Sequence, residues 1–304
     1  DRPRRGCAVL AQLTSETTGS NEDAGGDSRP GYAVFGNPIK HSKSPTIHAA
    51  FAEQTNDKLT YRAVRVELDS FESRVRSFFA AGGLGLNITL PFKARAIAMA
   101  DECTDRASAA GAANWLMPLE QGGIRADNTD GVGMVRDMVA NQGWTLAGRR
   151  TLIMGAGGAV RGVLQPLLNE GPGSVVIANR TTERAERLAQ DCRGDSNIDV
   201  SGCGYEALEG QTFDLIINGT SAGLSGELPP LPSIELSHRC CCYDMVYAAE
   251  PTVFMRWSAA QAAWAVTDGL GMLVEQAAES FYLWRGKRPD TAAVIHDLRH
   301  LLSH

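Results

Sequence analysis

Arg150-Thr151-Leu152-Ile153-Met154-Gly155-Ala156-Gly157-Gly158-Ala159-Val160 decides the fold. Five residues of strand character run into a glycine loop, after which Val160, Val163, Leu164, Leu167 and Leu168 recur at the helical period. In such a strand–loop–helix turn the first glycine permits a tight bend and the second lets a pyrophosphate approach the backbone. The helix N-terminus adds unpaired N–H groups and the positive end of its dipole. The third glycine of the usual G-x-G-x-x-G spacing is absent, and Val160 stands in its place. A loop of this kind also suits a tight βα turn that binds nothing, so its meaning rests on the next strand of the sheet.

That second apolar strand, Ser174 to Ala178, ends in Asn179-Arg180-Thr181, with Arg184 one turn into the next helix. Sites for NAD usually place a carboxylate at this strand tip to take the ribose hydroxyls. Here two guanidiniums, an amide and a hydroxyl make a pocket suited to a phosphate dianion, which points to NADP. The alternative is a solvated helix face on which Arg180 and Arg184 pair with Glu183 and Glu186. Three more strands are expected, at Phe213 to Asn218, Cys241 to Val246 and Ala263 to Thr267. Several βα units in series make a doubly wound domain. The last segment, Leu270 to Leu302, is helical and has no strands with which to complete a fold of its own.

Towards the N-terminus the same rhythm recurs. Tyr32 to Phe35 reads as a strand ended by Gly36-Asn37-Pro38. Ser44 as N-cap and Pro45 at the first helical position then open a helix with Ile47 and Phe51 on one face. Thr60 to Val66 and Leu84 to Thr89 are strands flanking a helix that carries Phe71, Val75, Phe78 and Phe79. Between Ala112 and Asp127 two short strands around Gly122-Gly123 predict a hairpin at the sheet edge. The expected fold is two α/β domains. Residues 31–129 build a substrate domain on a mainly parallel sheet, 130–268 a Rossmann-like domain, and 269–304 helices that return to the first. Residues 1–30 read as a mobile lead-in, with 11–30 rich in Ser, Thr, Gly, Asp and Glu.

Of the 304 residues, 43% are hydrophobic and 21% charged, and the net charge is -6. That balance argues against nucleic acid or an anionic membrane as partner, and no apolar run approaches the roughly 18–20 residues of a membrane span. Seven cysteines include no CxxC pair. Cys240, Cys241 and Cys242 lie in a strand-like run, where alternate side chains face opposite ways and cannot close a tetrahedral metal site. They read as reduced, buried thiols of a cytoplasmic protein. His296 and His300 have metal-like spacing but no third ligand in view, which favours a solvated helix end, while His48 is expected on a helix flank.

Three segments concentrate small polar groups beside strand ends: Ser42-Lys43-Ser44-Pro45, Asn87 to Lys93, and Asp127-Asn128-Thr129-Asp130-Gly131. Capping and turn roles account for many of them, and Asp130 alone could cap the helix beginning near Val132. Lys93 resists that reading. It lies beyond an apolar strand and an uncharged Pro-Phe step at the top of a sheet, where α/β proteins bind ligands. An ammonium near a carboxylate such as Asp130 is a reasonable acid/base couple for a carbinol proton.

Together with Gly36-Asn37-Pro38-Ile39, Tyr243-Asp-Met-Val-Tyr247 and Asp268-Gly-Leu-Gly-Met272, these motifs, in this order, resemble the shikimate dehydrogenase family. The resemblance runs from about Tyr32 to the C-terminal helix. It implies interconversion of shikimate and 3-dehydroshikimate with NADP, a step towards chorismate and the aromatic amino acids; the expected assembly is a monomer or homodimer, a choice that the sequence does not fix. It implies Lys93 and Asp130 at the reacting oxygen, and Ser42, Ser44, Asn87, Thr89, Asn114, Tyr247 and Gln276 around the substrate. For the cofactor it implies the loop Gly155, Ala156, Gly157, Gly158 and Ala159 at the pyrophosphate. Asn179, Arg180, Thr181 and Arg184 would take the adenosine 2′-phosphate, with Thr220, Met245 and Gly269 at the nicotinamide end. Two positions depart from the family pattern: Trp115 replaces a usual Thr, and Gly219 a common Ala. The family also includes quinate/shikimate dehydrogenases that prefer NAD, and a catalytically silent NADP- or shikimate-binding relative is a third reading. The strand tip at Asn179 argues against the first, and intact Lys93 and Asp130 against the second.

Overall fold

Short apolar strands alternating with amphipathic helices must be covered on both faces, and the chain achieves this with two six-stranded sheets. The computed structural model describes residues 31–192, 198–222 and 226–303; the lead-in expected at 1–30 lies outside the described residues. The first sheet is built from β1 (Gly31–Gly36), β2 (Thr60–Arg65), β3 (Gly85–Ile88), β4 (Glu102–Cys103), β5 (Trp115–Pro118) and β6 (Ile124–Asp127). Between them run α1 (Ser44–Thr55), α2 (Phe71–Ala80), α3 (Lys93–Ala98) and α4 (Asp105–Ala110). The strand order is β2-β1-β3-β5-β6-β4, with only β5 antiparallel to its neighbours.

Helix α5 (Asp130–Arg136), continued by a π-helical turn at Asp137–Asn141, leads into the second sheet. Its strands are β7 (Arg150–Met154), β8 (Ser174–Ala178), β9 (Asp199–Cys203), β10 (Thr212–Asn218), β11 (Glu235–Asp244) and β12 (Ala265–Thr267). Helices α6 (Gly158–Asn169), α7 (Thr182–Asp191) and α8 (Val253–Ala260) connect some of them. All strands are parallel in the order β12-β11-β10-β7-β8-β9, so the order reverses between β7 and β10. Residues alternate between two cores: Ile153, Ile177 and Ile217 face one, and Leu152, Val176 and Ile216 the other. The thiols obey the same rule, with Cys241 on one side and Cys240 and Cys242 on the other, all buried and unbridged.

Helices α9 (Leu270–Arg285) and α10 (Ala292–Leu302) return to the first sheet. Leu270, Val274, Ala278 and Phe281 pack on Ile47 and Phe51 of α1, with Val294 and Leu298 completing that core.

The structure corrects several local expectations. Ser44 is the first helical residue rather than the cap. The N-cap is Lys43, which offers no side-chain acceptor, and the Ser44 N–H donates instead to Ser42 Oγ at 3.3 Å. Asp130 likewise begins α5 and does not cap it. The hairpin β5–β6 is not the edge, because the two-residue β4 pairs parallel to β6 outside it. That strand, β9 and the π-turn carry too little apolar periodicity to be read from sequence. His48 is buried at 1% exposure rather than on a flank, its ring stacked 4.1 Å from Tyr61. Trp115 fills the core, stacking on Trp284 with its indole N–H donating to the Ser280 carbonyl.

Candidate active site

Strands β3 and β6 run the same way with antiparallel β5 between them. The carboxyl ends of the outer two and the start of the middle one therefore meet at one edge of the sheet. Lys93 lies just after β3, Asn114 precedes β5 and Asp130 lies just after β6, and this topology brings three residues distant in sequence into contact. Lys93 Nζ lies 2.5 Å from Asp130 Oδ2. Asn114 Nδ2 donates to Asp130 Oδ1 at 2.9 Å, so each carboxylate oxygen has its own donor. The Asp130 N–H donates to Asn128 Oδ1, which fixes the turn that presents the carboxylate. Asn114 Oδ1 accepts from the Thr129 N–H at 2.8 Å, which orients the amide. Charge-assisted bonds of this kind hold a side chain better than neutral ones.

These groups open on a cavity of about 390 Å³ whose walls come from both halves of the molecule. Ser42, Ser44, Asn87, Thr89, Lys93, Asn114, Asp130, Tyr247 and Gln276 all line it, as do Met245 and Gly269. The expected substrate and acid/base residues are thus assembled in one place, with two of the three expected nicotinamide-end residues, Met245 and Gly269, beside them; Thr220 does not line this cavity. Asn87 is more committed than the others: its Nδ2 donates to the Asn114 carbonyl and to Ser280 Oγ, and its Oδ1 accepts from Tyr61 at 2.7 Å. Gln276 reaches the pair through Asn114, which donates to its Oε1 at 3.3 Å. Sequence reading gave no role to four of the lining residues, Lys40, Lys43, Met272 and Leu273, although Lys43 and Met272 lie within its motifs. Met272 and Leu273 were findable, since they lie four and three residues before Gln276 on the same face of α9.

The glycine loop sits apart from this cavity, at the reversal of strand order between β7 and β10, the crevice where doubly wound sheets bind ligands. Gly155 has φ +102° and nestles against Gly219, where a side chain would meet the Gly219 carbonyl oxygen at 3.1 Å. Only glycine enters that conformation cheaply. A Cβ placed on Gly157 or Gly158 would meet nothing within 4 Å, so the start of α6 is open to a ligand, with Ala156 and Ala159 in the same turn. Thr220, across the crevice, is held by its Oγ1 donating to Asn218 Oδ1 at 2.7 Å. At the tip of β8, Asn179 Nδ2 donates to the Thr181 carbonyl and shapes the turn. Arg180, Thr181 and Arg184 are exposed there, and among the described residues neither arginine has a carboxylate partner. The pairing with Glu183 and Glu186 is therefore not formed. Arg180 does act on Tyr205, whose hydroxyl burial pushes up to about 12 against the pull of that guanidinium.

A shikimate dehydrogenase (NADP(+)) of Cellvibrio japonicus is 57% identical over 271 residues, which cover 89% of this chain and 97% of that protein. The chain belongs to the shikimate dehydrogenase family. Models of that family match it in three places: the shikimate dehydrogenase substrate binding domain at residues 34–116, shikimate / quinate 5-dehydrogenase at 137–224, and the shikimate 5'-dehydrogenase C-terminal domain at 269–299. Among solved structures, an Ael1 enzyme from Pseudomonas putida is 48% identical with a TM-score of 0.83, covering 88% of this chain and 98% of that one. A shikimate 5-dehydrogenase of Thermus thermophilus, solved with NADP(H) and shikimate, is 31% identical with a TM-score of 0.78 over 90% of this chain and all of that one. The family fold is the one described above, a substrate-binding sheet and a Rossmann-like sheet joined by returning C-terminal helices. Among the described residues no helix is long and apolar enough to cross a membrane.

Proposed function

We propose that this chain reduces 3-dehydroshikimate to shikimate, reversibly, with NADPH. The observation that carries this reading is the Lys93–Asp130 pair, with Asn114 donating to the second carboxylate oxygen of Asp130, lining a cavity in a chain whose glycine loop is open to a dinucleotide. NADPH, when bound, supplies the hydride to the carbonyl carbon, and the chain must supply orientation and a proton. Lys93 Nζ gives one N–H to Asp130 and keeps its others for the cavity, so it is placed to protonate the carbonyl oxygen as the carbinol forms. Asp130 holds that ammonium in position and stabilises its charge. In the oxidative direction Lys93 takes the proton back.

Ser42, Ser44, Thr89, Tyr247 and Gln276 provide hydroxyl and amide groups for a carboxylate and ring hydroxyls. Lys40 and Lys43 add positive charge at the same wall. Asn87 contributes chiefly by bracing Asn114. The open turn at Gly155–Ala159 suits a pyrophosphate, with Thr220 across from it. Arg180 and Arg184, unpaired among the described residues, suit a 2′-phosphate with Asn179 and Thr181, which favours NADP over NAD. All these groups come from one chain, so a monomer or homodimer suffices. Free buried thiols fit a cytoplasmic setting.

The test is to mix pure protein with shikimate or quinate and NADP or NAD and to monitor nicotinamide absorbance. Turnover is expected with shikimate and NADP. Faster turnover with quinate and NAD would overturn both the substrate and the cofactor reading.

A further inference from the structure

Two loops wall the cavity on the side of the second sheet: Met245 to Ala248 after β11, and Asp268-Gly269 before α9. Their backbones touch. The Gly269 N–H donates to the Val246 carbonyl at 3.2 Å, and a Cβ on Gly269 would lie 2.4 Å from the Met245 carbonyl oxygen. Arg299 of α10 reaches both. Its Nη1 donates to the Ala248 carbonyl at 3.2 Å and to Asp268 Oδ2 at 2.9 Å, and its Nη2 pairs with Asp268 Oδ1. Asp268 is 3% exposed, and the same Oδ1 accepts from the Leu270 N–H, at the start of the helix that carries Met272, Leu273 and Gln276. The side chain of Tyr247 packs into the core that α10 helps to build.

We infer that Arg299 is a positioning residue for the dehydrogenase reaction: it touches no cavity group, yet it sets the spacing between Tyr247 on one loop and Gly269 with the start of α9 on the other. The inference rests on the function proposed above. A planar guanidinium that forks onto one carboxylate while holding a carbonyl fixes distance and angle together, which a point charge cannot do. Small misplacement of reacting groups costs rate steeply.

The experiment compares wild type, Arg299→Ala and Arg299→Lys. Expected for Arg299→Ala is a shikimate KM raised about ten-fold and a larger primary isotope effect with shikimate deuterated at the reacting carbon, because hydride transfer becomes the slower step. Arg299→Lys, which retains one contact to Asp268, recovers part of the KM. An Arg299→Ala enzyme whose KM and isotope effect match wild type would overturn the inference, whatever its melting temperature. Should that variant not fold, Asp268→Asn carries the same test, since its amide keeps an acceptor for Leu270 but loses the ion pair. Shikimate binding by calorimetry needs no turnover and is expected to weaken about ten-fold in parallel. Wild type that binds shikimate without turning it over would thus sink the proposed activity and leave the role of Arg299 to be decided by binding alone.

Discussion

At the scale of single residues, the site depends on charges that have been given fixed partners. Asp130 could have been a helix cap, and its backbone position shows that it is not: the carboxylate turns to Lys93 and Asn114. Lys93→Ala is expected to lower kcat with shikimate by several orders of magnitude while NADP still binds. Retention of more than about a tenth of wild-type kcat, a cost below roughly 1.4 kcal/mol, would remove Lys93 from the chemistry. His48 shows a different consequence of burial. Sealed in the core, with no hydrogen-bond partner at Nε2, its pKa is lowered from 6.5 to about 3. Because the folded value is below the unfolded one, the unfolded chain binds the extra proton between those limits. Stability therefore falls as pH drops through that window, by up to about 1.4 kcal/mol per pH unit from this group. Urea unfolding at pH 7 and 4.5 should show a shallower loss in His48→Phe than in wild type; an equal slope would mean that His48 is hydrated and free to protonate.

At the scale of elements, close helix crossings place the site residues. Helix α5 begins with Asp130 and crosses α9 through Gly133, where a Cβ would lie 2.6 Å from the Gln276 nitrogen and 2.9 Å from its Cα. Backbone cannot yield as a side chain tip can. Gly133→Ala is expected to cost about 1–3 kcal/mol of stability and to raise the shikimate KM as Gln276 shifts. A variant with wild-type melting and KM would show that the crossing is slack. Gly271 makes the neighbouring contact with Asp137. The Asp137 carboxyl is pushed up by burial while Tyr243 and Asn141 donate to it, which joins the π-turn to β11. A π-turn is the kind of helix irregularity that often accompanies a site, and here it directly continues α5.

At the scale of the molecule, function requires two sheets to present their carboxyl ends to one another. Of the residues lining the cavity, Asn87, Thr89, Lys93, Asn114 and Asp130 come from the first, Met245 and Tyr247 from the second, and Gly269, Met272, Leu273 and Gln276 from the turn and helix that return between them. Because NADP would contact only the folded arrangement, saturation at 100 times its Kd should add about 2.7 kcal/mol to stability. Arg180→Ala is expected to shrink the thermal shift with NADP far more than that with NAD. Equal losses for both cofactors would sink the phosphate clamp at Asn179 to Arg184.

The sequence by itself determined the alternation of strand and helix, the glycine turn at Gly155, the phosphate-suited strand tip and the place of Lys93 just beyond an apolar strand. Those are local properties, written in periodicity and in residue types that only certain turns accept. Tertiary structure alone decided that Lys93 meets Asp130 while Asn114 donates to the same carboxylate, that Asn87 is spent on bracing, that His48 is buried and that Arg299 reaches Asp268. Each depends on which strands and helices become neighbours, and no spacing along the chain encodes a contact whose partners lie on separate elements.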